Sequence, residues 1–102
     1  MDRLDNLTNL IRDFAQRRDW DKFHIPKNLA MAITGEAGEL AAEFQWLTPE
    51  ESELSSLSEQ KLRSIRLEIA DVQIYLLRLA EILEIDISAA VIEKININEK
   101  RF

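Results

Sequence analysis

The spacing of apolar residues near the start of the chain predicts an amphipathic helix. These residues recur at intervals of three and four positions: Leu4, Leu7, Ile11 and Phe14. Because such positions share one face of a helix, we expect a first helix from about Asp5 to Arg17. The following segment, 17–25, has no clean period and precedes a proline, so it is predicted to be a loop.

A second helix is predicted from Pro26 to about Leu47, since proline is tolerated in a first helical turn. One broad face of this helix is apolar: Leu29, Ala30, Ile33, Ala37, Leu40, Ala41 and Phe44. From Thr48 to Glu51 the chain has a capping residue, a proline and a glutamate, which predict a short helix. The serine- and glutamate-rich stretch 52–59 is expected to be mobile.

A long third helix is predicted to run from the capping pair Ser56 and Glu59 to about Leu83. Its apolar residues occupy more than one side, which is typical of a helix that is buried on more than one side. In so short a chain, this pattern favours an oligomer with the third helix near the interface.

A fourth helix, from Ile87 to about Lys100, is predicted to follow the capping residue Asp86. Three of its apolar residues are expected to face inward: Val91, Ile92 and Ile95. The sequence shows no strand pattern, repeat or domain boundary. We therefore predict an all-α fold, with four helices forming a single domain over residues 1–102.

Composition narrows the classes of function. The 102 residues are 46% hydrophobic and carry a formal net charge of -6, with acids and bases interspersed. This balance does not favour a nucleic-acid partner. The lack of cysteine excludes disulfides and thiolate metal sites, and a single histidine disfavours a histidine-built site. With no run of about 20 apolar residues and no signal-peptide pattern, we expect a soluble, cytoplasmic protein without a membrane partner.

Both glycines of the chain, Gly35 and Gly38, lie inside the predicted second helix. A glycine there costs about 1 kcal/mol relative to alanine, so the pair needs a structural reason. One reason is close helix packing, since the missing Cβ lets a neighbouring backbone approach. The other is a functional site, because the same turn carries Glu36 and Glu39, whose i,i+3 spacing puts both on one face.

A second acidic pair with the same spacing, Glu68 and Asp71, lies in an otherwise apolar part of the third helix. Four carboxylates on two facing helices suit Mg2+, which prefers oxygen ligands and commonly binds substrate phosphates. The expected chemistry is metal-assisted attack of water on a phosphoryl group. Alternatively, the carboxylates form structural salt bridges with nearby basic residues: Arg63, Arg66 and Arg78.

Other residues are weaker candidates for substrate contacts. Lys94, Asn98 and Arg101 share one face of the fourth helix and either hold phosphate oxygens or form a solvated face. His24 is expected to make structural hydrogen bonds rather than to act as a general base. Four aromatic side chains either sandwich a nucleobase or belong to the core: Trp20, Phe23, Trp46 and Tyr75.

Two acidic segments resemble the motif of MazG-like all-α nucleoside triphosphate pyrophosphohydrolases: Gly35-Glu36-Ala37-Gly38-Glu39 and Glu68-Ile69-Ala70-Asp71. Further segments are similar to the dCTP pyrophosphatase branch of that family: Arg18-Asp19-Trp20, Phe23-His24, Pro26, Asn28-Leu29, Phe44-Gln45-Trp46, Tyr75-Leu76 and Lys94 to Phe102. The resemblance covers nearly the whole chain. Gly35 replaces the first acid of the general motif, a replacement that is common in this branch.

The resemblance implies a MazG-like helical bundle that hydrolyses dCTP, or a related or modified deoxynucleotide, to the monophosphate and pyrophosphate with Mg2+. It assigns metal binding and catalysis to the four acids: Glu36, Glu39, Glu68 and Asp71. It places four residues around the base and sugar: His24, Asn28, Trp46 and Tyr75. It assigns the phosphates to Lys94, Asn98 and Arg101, contributed by a neighbouring subunit of a homodimer or homotetramer. The implied role is nucleotide-pool house-cleaning.

Two alternatives remain beside this prediction. One is a non-enzymatic helical binding or oligomerisation module whose acids are salt-bridged and whose aromatic residues pack an interface. The other is an enzyme that releases phosphate instead of pyrophosphate.

Overall fold

The computed structural model describes residues 2–102 and contains four α-helices. They are α1 (Arg3–Arg17), α2 (Pro26–Ala42), α3 (Glu59–Ile82) and α4 (Ile87–Arg101), with a 3-10 turn, Leu54–Ser56, between α2 and α3. No strand occurs between residues 2 and 102, so the predicted all-α fold is confirmed. Within the same residues, no helix combines the length and apolarity needed to cross a membrane.

Aspartate side chains cap the first and last helices. Asp2 Oδ1 accepts a hydrogen bond from the backbone N–H of Asp5 at 2.8 Å, and Asp86 Oδ1 accepts one from Ala89 at 3.1 Å. Each bond satisfies a backbone donor that has no partner inside its own helix. The predicted cap at Asp86 is therefore confirmed.

Ser58 caps α3, so the prediction that Ser56 and Glu59 form this cap was wrong. The Ser58 hydroxyl accepts a hydrogen bond from the backbone N–H of Lys61 at 3.0 Å. Ser56 belongs to the 3-10 turn, and the backbone becomes extended only after it, at Leu57 and Ser58. An N-cap residue needs this extended backbone, which Ser58 has and Ser56 lacks.

α2 ends at Ala42, before the predicted end at Leu47. The N–H of Phe44 donates to the carbonyl of Ala41 at 3.0 Å, and the N–H of Leu47 donates to Phe44 at 2.9 Å. These shorter i→i+3 bonds replace the α-helical pattern and tighten the chain into turns.

The predicted short helix at Thr48 was wrong, although its capping bonds form. The Thr48 N–H donates to Glu51 Oε1 at 2.8 Å, and the Glu51 N–H donates to Thr48 Oγ1 at 3.2 Å. The hydroxyl of Ser52 then donates to the carbonyl of Pro49 at 2.7 Å. Such local bonds from short polar side chains compete with helix propagation, so the segment stops after one turn. The mobility of 52–59 stays a prediction.

α3 is the centre of the fold, because both α1 and α2 pack against it. The buried apolar side chains come from these three helices: Ala15, Leu29, Ile65, Leu77 and Ala80. Ala32 lies beside Tyr75, whereas Glu36 lies beside Glu68, so α2 and α3 run antiparallel. This arrangement sets the two acidic turns opposite each other.

α4 contributes no buried residue to this core. The three residues predicted to face inward are largely exposed: Ile92 by 61%, Ile95 by 53% and Val91 by 49%. That prediction was wrong for the single chain. The cause lies at the end of α3, where Glu84 has a φ of 56° and the chain turns sharply. α4 continues from this turn with its apolar residues uncovered.

The two glycines of α2 face open space. A Cβ placed on Gly35 or Gly38 would have no neighbouring atom within 4 Å. Neither glycine has a positive φ that would require it. Close packing inside the chain therefore does not explain them, and both weaken α2 without a compensating contact.

Gly38→Ala should raise the free energy of unfolding by about 1 kcal/mol, because alanine favours the helix and meets no neighbour here. Urea denaturation followed by circular dichroism measures the change. Ala41→Gly, at an exposed position of the same helix, is the matched reverse control and should lower stability by a similar amount. A loss of stability in Gly38→Ala would contradict an open surface at this turn.

Candidate active site

Four carboxylates meet between α2 and α3, and we call them the acid cluster (Glu36, Glu39, Glu68 and Asp71). One oxygen atom each of Glu36, Glu39 and Glu68 lies within 4.8 Å of the other two. The charge of Asp71, one turn after Glu68, acts on both Glu36 and Glu68. The i,i+3 spacing within each helix and the antiparallel pairing bring the four acids together, as their positions in the sequence predicted.

Burial and mutual repulsion raise the pKa of two members of the acid cluster. The pKa of Glu36 rises above its ordinary value mainly because burial penalises the charge, and further because Glu39 and Asp71 repel it. The pKa of Glu68 rises for the same reasons in the same order. The cluster is therefore short of positive charge, and a cation among its oxygens would favour the ionised carboxylates.

The acid cluster has no basic partner. Among residues 2–102, no lysine or arginine nitrogen forms an ion pair within 4.0 Å with any of its four carboxylates. The Oε2 atoms of Glu36 and Glu68 are buried and accept no hydrogen bond. A buried carboxylate oxygen without a partner is costly, so these atoms are positioned for a ligand that the chain itself does not supply.

The three arginines considered as alternative salt-bridge partners do not pair with the acid cluster. Arg78 pairs with Asp21 at 2.6 Å and with Glu81 at 2.8 Å, on the side of α3 that faces the first loop. Arg63 and Arg66 are exposed and form no ion pair with the cluster. The four acids are thus available for a metal ion.

A pocket of about 370 Å3 lies between the first loop, α2 and α3. Its wall comes from the loop between α1 and α2 and from the facing parts of α2 and α3: Trp20, Phe23, His24, Asn28, Leu29, Ala32 and Tyr75. Ala32 precedes Glu36 by one turn of α2, and Tyr75 follows Asp71 by one turn of α3. The pocket and the cluster therefore lie about one helical turn apart along the same pair of helices.

Hydrogen bonds and ring contacts fix the wall of this pocket. The side-chain amide of Asn28 donates to the backbone carbonyl of Phe23 at 3.2 Å. The Nε–H of Arg78 donates to Nδ1 of His24 at 3.1 Å. Trp20 packs edge-to-face on an aromatic ring of α1, with 5.4 Å between the ring centroids. Aromatic walls with a few fixed polar groups are typical of small-molecule sites.

Comparisons with known proteins identify the relatives of this chain. A pyrophosphatase from Archaeoglobus fulgidus has a similar structure, with a TM-score of 0.90 and 38% sequence identity, over 100% of this chain and 94% of that chain. The chain belongs to the MazG-like family of all-α pyrophosphatases. The scan against protein-family models finds no match.

Curated relatives support the same family. This MazG-like chain is 40% identical over 99 residues to dCTP pyrophosphatase 1 from Homo sapiens, and 38% identical over 99 residues to the protein of that name from Bos taurus. Both matches cover 97% of this chain, but only 58% and 59% of the relatives. The chain thus spans less than two thirds of the length of the curated relatives that it matches.

Of the four residues predicted to contact the base and sugar, the structure of this MazG-like chain brings three to one pocket. His24, Asn28 and Tyr75 line the pocket, and their contact with a base or sugar stays a prediction. Trp46 does not line it and is 87% exposed. The physical reason is the early end of α2 at Ala42, after which tight turns carry Trp46 outward.

The predicted phosphate contacts lie on α4 and do not join the acid cluster in the single chain. Lys94 and Arg101 are exposed. Asn98 lines a separate surface pocket of about 400 Å3 with Ile95 and Phe102. Their placement follows from α4, which runs on from α3 without packing into the core.

Arg78 has contacts beside the pocket that its position in the sequence did not reveal. It was considered only as a neutralising partner for the acids, whereas its side chain bonds to His24, Asp21 and Glu81. The available signal was an arginine within a helix that is apolar on more than one side, because a buried charge needs several partners.

Glu68→Gln should stabilise the metal-free protein at about pH 7.5. At that pH the wild-type fold must keep the Glu68 carboxylate ionised, although the pKa of this group is raised in the folded protein. An acid whose pKa is higher in the folded than in the unfolded protein favours folding at pH values below its unfolded pKa. This contribution is lost as the pH rises through its folded pKa. The advantage of the variant should therefore shrink as pH is lowered towards about 4.5, which thermal melts in EDTA measure.

The matched control is Glu53→Gln, at an exposed position outside the cluster, which should leave the melting temperature nearly unchanged across this range. If Glu68→Gln were less stable than the wild type at about pH 7.5, repulsion within the cluster would be contradicted.

Proposed function

We propose that the chain hydrolyses a deoxynucleoside triphosphate, dCTP or a related or modified nucleotide, to the monophosphate and pyrophosphate with Mg2+. The observation that carries this proposal is an unpaired acid cluster next to an aromatic pocket along one pair of helices. Membership of the pyrophosphatase family supports the reaction class, and similarity to proteins named dCTP pyrophosphatase 1 supports the base. Residues 1–102 would act as one domain.

The donor set of the acid cluster fits Mg2+. Glu36, Glu39 and Glu68 each offer an oxygen within a 4.8 Å group, and Asp71 adds a fourth carboxylate. The partnerless Oε2 atoms of Glu36 and Glu68 are hard oxygen ligands without competing bonds. When bound there, Mg2+ would neutralise charge on the phosphate oxygens.

A glutamate of the cluster has a second role towards water. Its carboxylate accepts a hydrogen bond from the attacking water and orients it, and it takes the proton that the water gives up. Water adds across the anhydride bond between the α- and β-phosphates, which breaks. The products are the nucleoside monophosphate and pyrophosphate, and the proton passes to solvent.

The pocket supplies the site for the nucleoside. Aromatic rings stack on the faces of bases with about 1–3 kcal/mol per base, which suits Trp20, Phe23 and Tyr75 on its wall. His24 and Asn28 provide polar groups at the same wall. Because the pocket lies about one helical turn, roughly 5 Å, from the acid cluster, a base in the pocket leaves its phosphates near the carboxylates.

We further propose a homodimer or homotetramer in which α4 packs against another subunit. Ile92 and Ile97, exposed by 61% and 47%, line a groove of about 550 Å3 on α4. Contiguous exposed apolar surface of this kind marks an interaction site. In such an assembly, the phosphate contacts would come from a neighbouring α4: Lys94, Asn98 and Arg101.

Two rival functions are less well supported. A non-enzymatic helical module would leave its acids salt-bridged, whereas these acids are unpaired. An enzyme that releases phosphate would cut the terminal anhydride bond, and product analysis separates that reaction from ours. The cytoplasmic location and the absence of nucleic-acid and membrane partners stay predictions.

Glu39→Gln or Asp71→Asn should lower kcat at least about 100-fold, because each removes a charged ligand of the metal. Phosphorus NMR of reactions with dCTP and Mg2+ measures turnover and products, and circular dichroism checks the fold. The matched control Glu53→Gln should keep full activity. The wild type should release pyrophosphate and dCMP. Normal turnover in either cluster variant, or phosphate as the product, would refute the proposal.

Ile92→Glu should dissociate the assembly, because it places a charge in the proposed apolar interface. Size-exclusion chromatography with light scattering should give two or four times the chain mass of 11.9 kDa for the wild type, and a lower mass for the variant. Gln16→Glu, at an exposed site on α1, is the control. A monomeric wild type would rule out the proposed interface.

A further inference from the structure

Arg78 is the most heavily bonded buried charge among the described residues. It is only 6% exposed, although it is an arginine. Its Nε–H donates to Nδ1 of His24 at 3.1 Å, and its two terminal nitrogens donate to Asp21 at 2.6 Å and to Glu81 at 2.8 Å. Glu81 is in turn held by Arg12 at 2.8 Å. The guanidinium is thus fixed by partners from α3 and the loop, and Glu81 links it to α1.

The bond between Arg78 and His24 determines which ring nitrogen carries the proton. An arginine donates hydrogen bonds and never accepts them, so the Nδ1 atom that it contacts must be unprotonated. A neutral imidazole then carries its hydrogen on Nε2. Protonation of Nδ1 would set two donors against each other. His24 therefore has one ring donor, Nε2–H, for contacts other than Arg78.

The surroundings of His24 also favour the neutral ring. Its pKa lies below the ordinary value because the side chain is partly buried, and next because the Arg78 guanidinium repels the imidazolium. Asp21 raises the pKa of His24, but it is the smallest of these three influences. The other charges in the network, Glu81 and Arg12, reach His24 only through Arg78.

We propose that Arg78 is a positioning residue that holds His24 as a neutral Nε2–H donor on the pocket wall, where it binds a carbonyl oxygen of a pyrimidine base. The inference rests on the proposed function, because His24 shares that pocket with the aromatic side chains Trp20, Phe23 and Tyr75. Arg78 touches neither the base nor the reacting atoms and acts through His24.

The competing role for Arg78 is purely structural. Through Asp21 it ties the loop to α3, and through Glu81 and Arg12 it ties α3 to α1. A purely structural arginine would affect stability and all substrates alike. A positioning arginine would in addition set the protonation of His24 and the preference among bases.

The wild-type protein provides the first test, because the chain contains one histidine and its ring signals need no assignment. Two-dimensional NMR on protein with 15N-labelled histidine should show protonated Nε2, bare Nδ1 and a pKa below about 6.5. Titration with dCMP should shift the Nε2–H signal. A protonated Nδ1, or no shift when dCMP saturates the protein, would overturn the proposal even if hydrolysis is confirmed.

The second test compares Arg78→Met with Arg66→Met, an exposed position on the same helix. In Arg78→Met the pKa of His24 should rise, and Nδ1 should become partly protonated. The ratio of kcat/KM for dCTP over dATP should fall about tenfold, mainly through KM, which corresponds to one lost hydrogen bond. Arg66→Met should change none of these values.

The outcomes distinguish a failure of the proposed function from a failure of the positioning role of Arg78. If the wild type hydrolyses no nucleotide, the proposed function fails, while the tautomer and the dCMP titration still test the role of Arg78. If Arg78→Met folds and leaves the His24 signals and the base preference unchanged, the positioning role is wrong and hydrolysis is unaffected. If Arg78→Met does not fold, the wild-type spectra decide.

Discussion

Four carboxylates are held close together between α2 and α3, and their mutual repulsion opposes folding at this point. Packing of α2 against α3 buries Leu29 and Ile65 and fixes the separation of the two helices. The acids of the cluster therefore cannot move apart without opening the core. The raised pKa of Glu36 and Glu68 is the electrostatic cost of this arrangement. A fold that tolerates such a cost at one point has a site that a divalent cation would stabilise.

The apolar core positions the acid cluster, and the polar network around Arg78 positions the pocket. The core aligns the acidic turns of α2 and α3. The network around Arg78 attaches the loop that carries Trp20 and His24 to the other end of the same helix pair. As a result, the pocket and the acid cluster are both held by α3. This arrangement suits the proposed binding of an elongated substrate at both of its ends.

The helices and the acid cluster could be predicted from the sequence because they depend on local spacing. Residues three or four positions apart share a face whatever the tertiary structure, which is why the pair Glu68 and Asp71 was recognisable. The end of α2 and the exposure of Ile92 depend on how distant segments pack, and local patterns do not contain that information. The role of Arg78 was missed for the same reason, since its partner His24 is far away in sequence.

The assignment of the family and the roles proposed for single residues rest on different evidence. Sequence and structural similarity over nearly the whole chain establish the family. The roles of single residues rest on geometry, above all on the partnerless oxygens of Glu36 and Glu68. The glycines of α2, which face open space, leave room at the acidic turn for a substrate or a neighbouring subunit.

A crystal structure with Mn2+, which replaces Mg2+ at oxygen sites, would locate the proposed cation site. We expect an anomalous peak between α2 and α3, about 2.1 Å from carboxylate oxygens of the acid cluster. A crystal with no peak there, or one in which lysine or arginine side chains neutralise Glu36 and Glu68, would contradict this expectation.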